Sequence, residues 1–180
     1  FVTKNRDFYQ RAYLMKNHGM SKNRKYFHLM NGLNFRMTNL QAAIGLAQIE
    51  QIREILSKKK KINYIYKKMI NQIEDVEFQP EYKGDVNSYW LFVIKLEGKL
   101  EKFRDELIKI YKKKNYDVRR TFFSLDEMPI KKFYSKHLSE LKNSKKLSKS
   151  CLAFPSFPNL PVKEIPKIVG VLSDFVKSKK

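Results

Sequence analysis

A helical stripe of apolar residues between positions 38 and 73 constrains the fold of this chain more than any other feature. Thr38 and Gln41 have the spacing of a capping box, in which each side chain accepts a hydrogen bond from a backbone N–H at a helix start. No proline interrupts the stretch, so the pattern predicts one continuous or gently bent helix over residues 38–73. A continuous helix would be about 54 Å long at 1.5 Å per residue and able to link two lobes. The stripe consists of Leu40, Ile44, Ala47, Ile52, Leu56, Ile62, Tyr66, Met69 and Ile73.

The first turns of the predicted helix are rich in small residues, between positions 42 and 47. Small side chains at helical spacing predict the close approach of another backbone. The chain also opens on the apolar "FVT" rather than on Met, which is typical of a strand entered midway and indicates the later part of a longer protein. We therefore expect both segments to expose apolar surface when the chain stands alone.

Residues 86–180 have the pattern of a small α/β unit. The run "SYWLFVIKL" is almost continuously apolar, as expected of a strand that is covered on both faces. A helix is predicted in "LEKFRDELIKIYKKK", and a second strand in "YDVRRTFF". A short strand is expected in "CLAFPSFPNLP" and a closing helix in "VKEIPKIVGVLSDFVK", where Pro166 is tolerable only in the first turn.

The formal net charge of +20, from 38 basic and 18 acidic residues, raises the possibility of a nucleic-acid partner. Lysine far outnumbers arginine, however, and the lysines are scattered apart from "SKKKK" at 57–61 and the C-terminal tail. Specific readers of bases and phosphates depend on arginine forks. We therefore expect no nucleic-acid partner. A basic nucleic-acid-binding module remains an alternative, and its affinity for nucleic acid would fall steeply as the salt concentration rises.

No stretch has metal-ligand spacing, and no apolar run reaches the roughly 18 residues of a membrane span. No signal peptide is visible, and Cys151 is the single cysteine, so the chain has no internal disulfide framework. We expect a cytoplasmic protein with Cys151 as a small buried apolar side chain.

Asn34 and Arg36 stand out as two polar side chains placed directly before the predicted helix. Their spacing alone favours a local role, in which they satisfy loop carbonyls, because such residues are common near helix starts. Their chemistry also suits a dianionic phosphate, since a guanidinium binds phosphate through two parallel hydrogen bonds.

Five motifs in order carry a resemblance over nearly the whole chain: "KNHGM", "GLNFRMTNLQAAIGLAQIE", "SYWLFVIKL", "RRTFF…MPIKKFY" and "FPSFPNL". The sequence resembles the C-terminal portion of the DegT/DnrJ/EryC1/StrS sugar aminotransferases, which depend on pyridoxal 5'-phosphate (PLP). The resemblance implies an α/β fold, the C-terminal part of an aspartate aminotransferase-like transferase of fold type I, in a homodimer. It assigns residues 1–37 to the end of the large PLP-binding domain, 38–73 to an interdomain helix and 86–180 to the small domain.

The resemblance also implies site residues. Asn34 matches a family asparagine that reaches across the dimer to the cofactor phosphate of the neighbouring subunit, and Arg36 would lie near the same pocket. His18 and Arg119 are implied to face the substrate. His28 is a weaker candidate of the same kind.

Within the family, the motifs are most similar to those of enzymes that aminate C4 of GDP-4-keto-6-deoxymannose with glutamate as amino donor, for surface polysaccharide such as O-antigen. A nucleotide sugar and an amino-acid donor are therefore the implied substrates. The family usually has proline where Arg120 and Ser124 stand and histidine where Asp126 stands. These departures lie where the sugar or nucleotide would be recognised.

Transamination also needs a Schiff-base lysine and an acidic partner for the pyridine nitrogen. In the family both precede the segment that matches residue 1, and no lysine here has the expected "GEGG" context. We therefore expect no catalytic residue in this chain and no activity from the chain alone. A catalytically dead family member that binds or regulates a complete aminotransferase is an alternative.

Overall fold

Residues 2–129 and 141–180 are described by a computed structural model, and the chain divides into two units at Gln51. The N-terminal unit comprises Phe1–Gln51 and the C-terminal unit Ile52–Lys180. The boundary lies inside the segment 38–73 that is expected to link the two domains, and that domain assignment remains a prediction.

The N-terminal unit contains two helices joined by an irregular segment. Helix α1 (Arg6–Lys16) is capped by Asn5, whose side chain accepts hydrogen bonds from two backbone N–H groups of the first turn. Helix α2 (Asn39–Glu50) begins with the predicted capping box, which is confirmed: Gln41 N–H donates to Thr38 Oγ1 at 3.2 Å, and Thr38 N–H donates to Gln41 Oε1 at 2.9 Å. Val2 and Thr3 form no strand, contrary to the expectation for the opening segment.

The apolar stripe forms two helices rather than one. Helix α3 (Ile52–Ile70) follows α2 after the single residue Gln51. The Gln51 side-chain amide donates to the carbonyl oxygen of Ala47 at 3.2 Å, at the position where a backbone N–H would bond in a continuous helix. This side-chain hydrogen bond accompanies the interruption, which sequence periodicity does not reveal.

The C-terminal unit is built on a four-stranded antiparallel sheet of order β1-β2-β4-β3. Strand β2 pairs with β4 so that Phe92 lies opposite Phe154, and β3 extends the sheet on the far side of β4. The predicted strands in "SYWLFVIKL", "YDVRRTFF" and "CLAFPSFPNLP" are confirmed, and β1 is an addition that sequence analysis missed. The strands are β1 (Val76–Phe78), β2 (Phe92–Leu96), β3 (Arg119–Arg120) and β4 (Cys151–Phe154).

The described part of this unit also contains the helices α4 (Arg104–Lys113), α5 (Lys142–Ser150) and α6 (Glu164–Lys179). Short 3₁₀ helices cover Gly98–Phe103 and Leu125–Glu127. Pro166 is the third residue of α6, in the first turn, where its missing N–H leaves no hydrogen bond unmade. The predicted tolerance of this proline is therefore confirmed.

The core of the C-terminal unit lies between the sheet and helices α3, α4 and α6. The second half of α3 contributes Ile62, Tyr66 and Ile70 to this core, so this part of the helix packs within the C-terminal unit. The Tyr66 hydroxyl donates to the carbonyl oxygen of Pro155 at 3.0 Å, which ties α3 to the segment after β4. This tie positions the cavity described below.

Among the residues that the structure describes, no helix is long and apolar enough to cross a membrane. Residues 2–129 and 141–180 also contain no group of three or more side chains placed to hold a metal ion.

Candidate functional site

Two glycines bring together the segments of the N-terminal unit that carry the predicted site residues. Gly19 has a φ of +66°, and a Cβ there would lie 1.8 Å from the carbonyl oxygen of Met30. A Cβ on Gly32 would lie 2.2 Å from the backbone nitrogen of Gly19. The two backbones therefore pack directly against each other, since no side chain fits between them.

His18 and Asn34 are neighbours in this packed segment. Asn34 forms an isolated antiparallel bridge with Asn17, and the His18 N–H donates to the Leu33 carbonyl oxygen at 3.1 Å. The Nδ1 atom of His28 lies 2.8 Å from the carbonyl oxygen of His18, so His28 stabilises the loop in the tautomer that carries the proton on Nδ1. The His18 ring is exposed and forms no hydrogen bond with any described residue.

Asn34 and Arg36 have side-chain donors that no described residue uses. The Oδ1 atom of Asn34 accepts a hydrogen bond from the Arg36 backbone N–H at 3.3 Å. Both side chains are exposed, and neither donates to a loop carbonyl of residues 2–129 or 141–180. Asn34 therefore has a local role as an acceptor, but the expected donation to loop carbonyls is not observed among the described residues. The Asn34 amide N–H groups and the Arg36 guanidinium remain available to an anion.

The C-terminal unit contains a cavity of about 580 Å³ where β2 begins and β4 ends. Arg119, the predicted substrate-facing residue of this unit, lines it from β3. Apolar and aromatic walls with a few charged groups are typical of ligand sites of this size. The charged and aromatic side chains of the lining include those of Lys59, Trp90, Asp117, Arg119, Phe157 and Glu164.

Lys59 holds two edges of the cavity together. Its Nζ atom donates to the carbonyl oxygen of Trp90 at 3.1 Å and to that of Ser156 at 3.0 Å. Burial lowers the pKa of the Lys59 ammonium below its ordinary value, because the partly desolvated site disfavours charge. The lysine therefore fixes the approach of the segments before β2 and after β4.

An exposed aromatic pair stands at the cavity. The Trp90 and Phe122 rings stack with centroids 6.0 Å apart and an interplanar angle of 26°. Trp90 is 64% exposed and Phe122 66% exposed, which is unusual for large aromatic side chains that already contact each other. The pair presents flat apolar surface next to the charged lining.

Arg119 and Arg120 are adjacent in β3 but have different surroundings. The Arg120 Nη2 atom lies 3.1 and 3.0 Å from the two carboxylate oxygens of Asp105, and its guanidinium lies over the Phe123 ring. Burial alone would raise the pKa of Asp105, but its hydrogen bonds and charge interactions with Arg104 and Arg120 outweigh burial and hold that pKa below its ordinary value. The Arg119 side chain has no ion pair with a described residue, so it remains available to a ligand.

The other departures from the family pattern are also engaged within the chain. The Ser124 hydroxyl donates to the carboxylate of Asp126, which pairs with Lys145 of α5 at 2.8 Å. Hydrogen bonds from Lys145 and then Ser124 hold the pKa of Asp126 below its ordinary value. These contacts fasten the segment after β3 to α5. The part of the "MPIKKFY" motif from residue 130 onward lies outside the described residues.

Cys151 opens β4 and is only 5% exposed. Burial raises the pKa of its thiol, which keeps it protonated and unreactive. The prediction of a small buried apolar side chain is confirmed.

Sequence analysis missed Lys59, Trp90 and Asp117 as members of the cavity. Lys59 lies in the run 57–61, whose composition indicates ordinary surface lysines, and nothing in the run distinguishes it from its neighbours. Trp90 could have been recognised as a candidate binding residue, since it is the single tryptophan of the chain and precedes a predicted buried strand.

Comparison with known proteins decides the family. The sequence profile of the DegT/DnrJ/EryC1/StrS aminotransferase family matches residues 1–173. The chain belongs to this family. The DegT/DnrJ/EryC1/StrS aminotransferases are PLP-dependent, so the predicted cofactor of the family is confirmed.

Curated relatives within this family include several sugar-nucleotide enzymes. The GDP-perosamine synthase of Escherichia coli O157:H7 is 33% identical over 178 residues, which are 99% of this chain and 47% of that protein. The GDP-perosamine synthase of Vibrio cholerae is 30% identical over 165 residues, 89% of this chain and 43% of that protein. The chain thus spans about half the length of the curated relatives it matches.

Solved structures confirm the predicted fold class. Helicobacter pylori PseC, an aminotransferase involved in the biosynthesis of pseudoaminic acid, matches with a TM-score of 0.86 at 18% identity, over 98% of this chain and 48% of that chain. The structure of 3-amino-5-hydroxybenzoic acid synthase matches with a TM-score of 0.84 over 49% of its chain. At these identities the likeness concerns the fold alone: mixed α/β, corresponding to about half of a fold-type-I PLP transferase.

Proposed function

We propose that this chain is the C-terminal portion of a PLP-dependent aminotransferase that acts on GDP-4-keto-6-deoxymannose, as a GDP-perosamine synthase does. The observation that carries the proposal is the 33% identity to such a synthase over 99% of the chain. The amino group would come from glutamate and go to C4 of the sugar. We place the enzyme in the cytoplasm, where it would supply an amino sugar for surface polysaccharide such as O-antigen.

Asn34 and Arg36 are the residues of this chain that we assign to the cofactor. The unused amide of Asn34 and the exposed guanidinium of Arg36 fit the oxygens of a dianionic phosphate, which accept charge-assisted hydrogen bonds. Bound PLP supplies the electron sink that amino transfer requires. The lysine and the acidic residue that transamination also needs would precede this chain, and residues 18 and 119 would contact substrate.

Helix α2 supports the proposal that the site is completed by another polypeptide. None of its residues is buried within the described chain, although most of them are apolar. Leu40 is 72% exposed and Ile49 68% exposed, whereas isolated soluble chains rarely expose continuous apolar surface. We propose that a second subunit and the rest of the large domain cover α2 and place Asn34 at the neighbour's cofactor.

The test of the reaction uses the complete protein that contains this chain. The protein, PLP and glutamate are incubated with GDP-4-keto-6-deoxymannose, and the product is identified by mass spectrometry and by the position of the new amine. The matched control is the dTDP-4-keto-6-deoxyglucose reaction, because relatives named as dTDP-4-amino-4,6-dideoxy-D-glucose transaminases are 25% and 22% identical to this chain.

Formation of the C4 amine on the GDP-sugar, at a higher kcat/KM than on the dTDP-sugar, is the expected result. Preference for the dTDP-sugar would overturn the proposed substrate while leaving the family intact. A complete protein that binds PLP but forms no amine from either sugar would overturn the enzyme assignment and favour the dead regulatory relative, which should then co-purify with an active aminotransferase.

A further inference from the structure

We propose that the cavity beside Trp90 binds a guanine nucleoside diphosphate, with Asp117 recognising the base and Arg119 the phosphates. This inference rests on the proposed function and names the part of the substrate that the cavity would take. It concerns residues that belong to the C-terminal unit alone: Lys59, Trp90, Asp117, Arg119 and Phe157.

The walls of the cavity suit a flat heterocycle. Trp90 and Phe157 line it and are 64% and 53% exposed, and Pro155, Pro158 and Pro161 contribute further apolar surface. Stacking of a base on an aromatic side chain contributes about 1–3 kcal/mol, and every base has a π-face that can stack. The volume of about 580 Å³ lies in the range of nucleotide-sized ligand sites.

Asp117 gives the cavity a preference among bases. Its carboxylate forms no hydrogen bond or ion pair with any residue that the structure describes, so its acceptor oxygens are available. Guanine presents an N1–H and an N2 amine on one edge, and a carboxylate can accept both hydrogen bonds at once. Adenine presents an unprotonated N1 there, whose lone pair a carboxylate would repel.

Arg119 supplies the matching group for the phosphates. Its guanidinium lines the same cavity and has no ion pair within residues 2–129 and 141–180. A guanidinium binds a terminal phosphate through two parallel hydrogen bonds. The Lys59 ammonium adds a second positive charge at the lining, and the net charge of +20 attracts a polyanion from solution.

The remaining carboxylate of the lining does not compete with Asp117. Glu164 accepts a hydrogen bond from the Tyr116 hydroxyl at 3.2 Å and pairs with Lys167 at 2.8 Å. Glu164 is neutralised in this way, and Lys59 is hydrogen-bonded to two carbonyl oxygens. The charged groups of the described lining that have no partner are therefore one acceptor, Asp117, and one cation, Arg119. A guanine nucleotide satisfies both, whereas a simple phosphate satisfies only the cation.

The experiment uses Trp90 as its own reporter, since it is the single tryptophan of the 180-residue chain. GDP, inosine diphosphate, ADP and UDP are titrated at fixed ionic strength while Trp90 fluorescence is recorded. We expect saturable quenching with affinity in the order GDP, inosine diphosphate, ADP, because inosine keeps N1–H but lacks the N2 amine. Asp117→Asn should reduce the preference for GDP over ADP about tenfold, since an amide replaces one carboxylate acceptor by a donor.

Arg119→Gln should weaken GDP and ADP binding alike by about tenfold, while leaving guanosine binding unchanged. Arg120→Gln is the matched control, because Arg120 is the adjacent arginine but pairs with Asp105 instead of lining the cavity. Cooperative unfolding of each variant is checked before titration. Equal affinity for GDP and ADP, unsaturable quenching, or equal effects of the two arginine substitutions would overturn the inference.

A second measurement in the complete protein separates this inference from the proposed function. Asp117→Asn should raise the KM for the GDP-sugar about tenfold and leave kcat unchanged. Amination of the GDP-sugar with a KM that neither Asp117 nor Arg119 affects would overturn the inference while sustaining the proposed function. GDP binding at Trp90 in a protein that aminates no sugar would sustain the inference and overturn the function.

Discussion

The ammonium of Lys59 donates a hydrogen bond to the backbone carbonyl oxygen of Trp90 at a distance of 3.1 Å. A second hydrogen bond, at 3.0 Å, reaches the carbonyl oxygen of Ser156. One side chain of α3 thus joins the segment before β2 to the segment after β4.

Lys59→Met should lower the free energy of unfolding by about 2 kcal/mol, because two charge-assisted hydrogen bonds are lost and two carbonyl groups remain without a donor. Methionine keeps the length of the aliphatic stem, so packing changes little. Lys61→Met is the control, since Lys61 belongs to the same lysine run but is exposed. Urea unfolding of both variants measures the difference, and equal effects would show that Lys59 is an ordinary surface lysine.

Asp105→Asn should destabilise the C-terminal unit at neutral pH but less so in acid. The pKa of Asp105 lies below its ordinary value of 3.8 in the folded chain, so its contribution is fully present above about pH 4 and is lost as the pH falls through the folded pKa. The difference in unfolding free energy between the native chain and the variant should therefore shrink between pH 5 and acid. A difference that stays constant with pH would refute the ionic contribution of Asp105.

Asn34→Ala in the complete protein should weaken cofactor retention roughly tenfold to a hundredfold, since one charge-assisted hydrogen bond contributes about 1.5–3 kcal/mol. Equilibrium dialysis against PLP measures the loss. Asn31→Ala is the control, because Asn31 is exposed in the same loop. In a mixed dimer, only the site completed by the variant chain should lose cofactor, and loss from both sites would contradict donation across the interface.

Gly19→Ala should disrupt the packed segment around Asn34, whereas Gly45→Ala should not. An added Cβ at Gly19 meets a carbonyl oxygen at 1.8 Å in a left-handed conformation, which costs about 1–3 kcal/mol before the clash is counted. Gly45 has nothing within 4 Å of its Cβ position, and alanine should stabilise α2 by up to about 1 kcal/mol. Hydrogen exchange at the Leu29 amide, which donates to the Gly19 carbonyl, distinguishes the two outcomes.

Sequence alone predicted the parts of the fold whose signals are local or periodic. The capping box at Thr38, the buried strand around Ile94 and the first-turn proline of α6 each follow from the chemistry of a few consecutive residues. The break at Gln51 was not predictable, because the apolar stripe continues across it. Strand β1 was missed because three residues carry too short an alternation to be recognised.

The candidate sites also differ in whether their residues are adjacent in the sequence. Asn34 and Arg36 were found because their motif is contiguous, and their unused donors agree with a ligand role that still awaits the test above. The cavity of the C-terminal unit could not be predicted, since its lining comes from separate stretches that meet only through the order of the strands. Lys59 and Asp117 have no sequence context that sets them apart from other charged residues.

The position of β4 inside the sheet determines when the C-terminal unit can fold during synthesis. Strands β1, β2 and β3 leave the ribosome first, but β4 separates β2 from β3 in the sheet. Until Cys151–Phe154 emerges, one edge of β2 has no partner and its apolar face has no complete cover. Nascent chains that stall before this point should therefore aggregate or recruit chaperones, whereas chains released after α6 can close the sheet in one step.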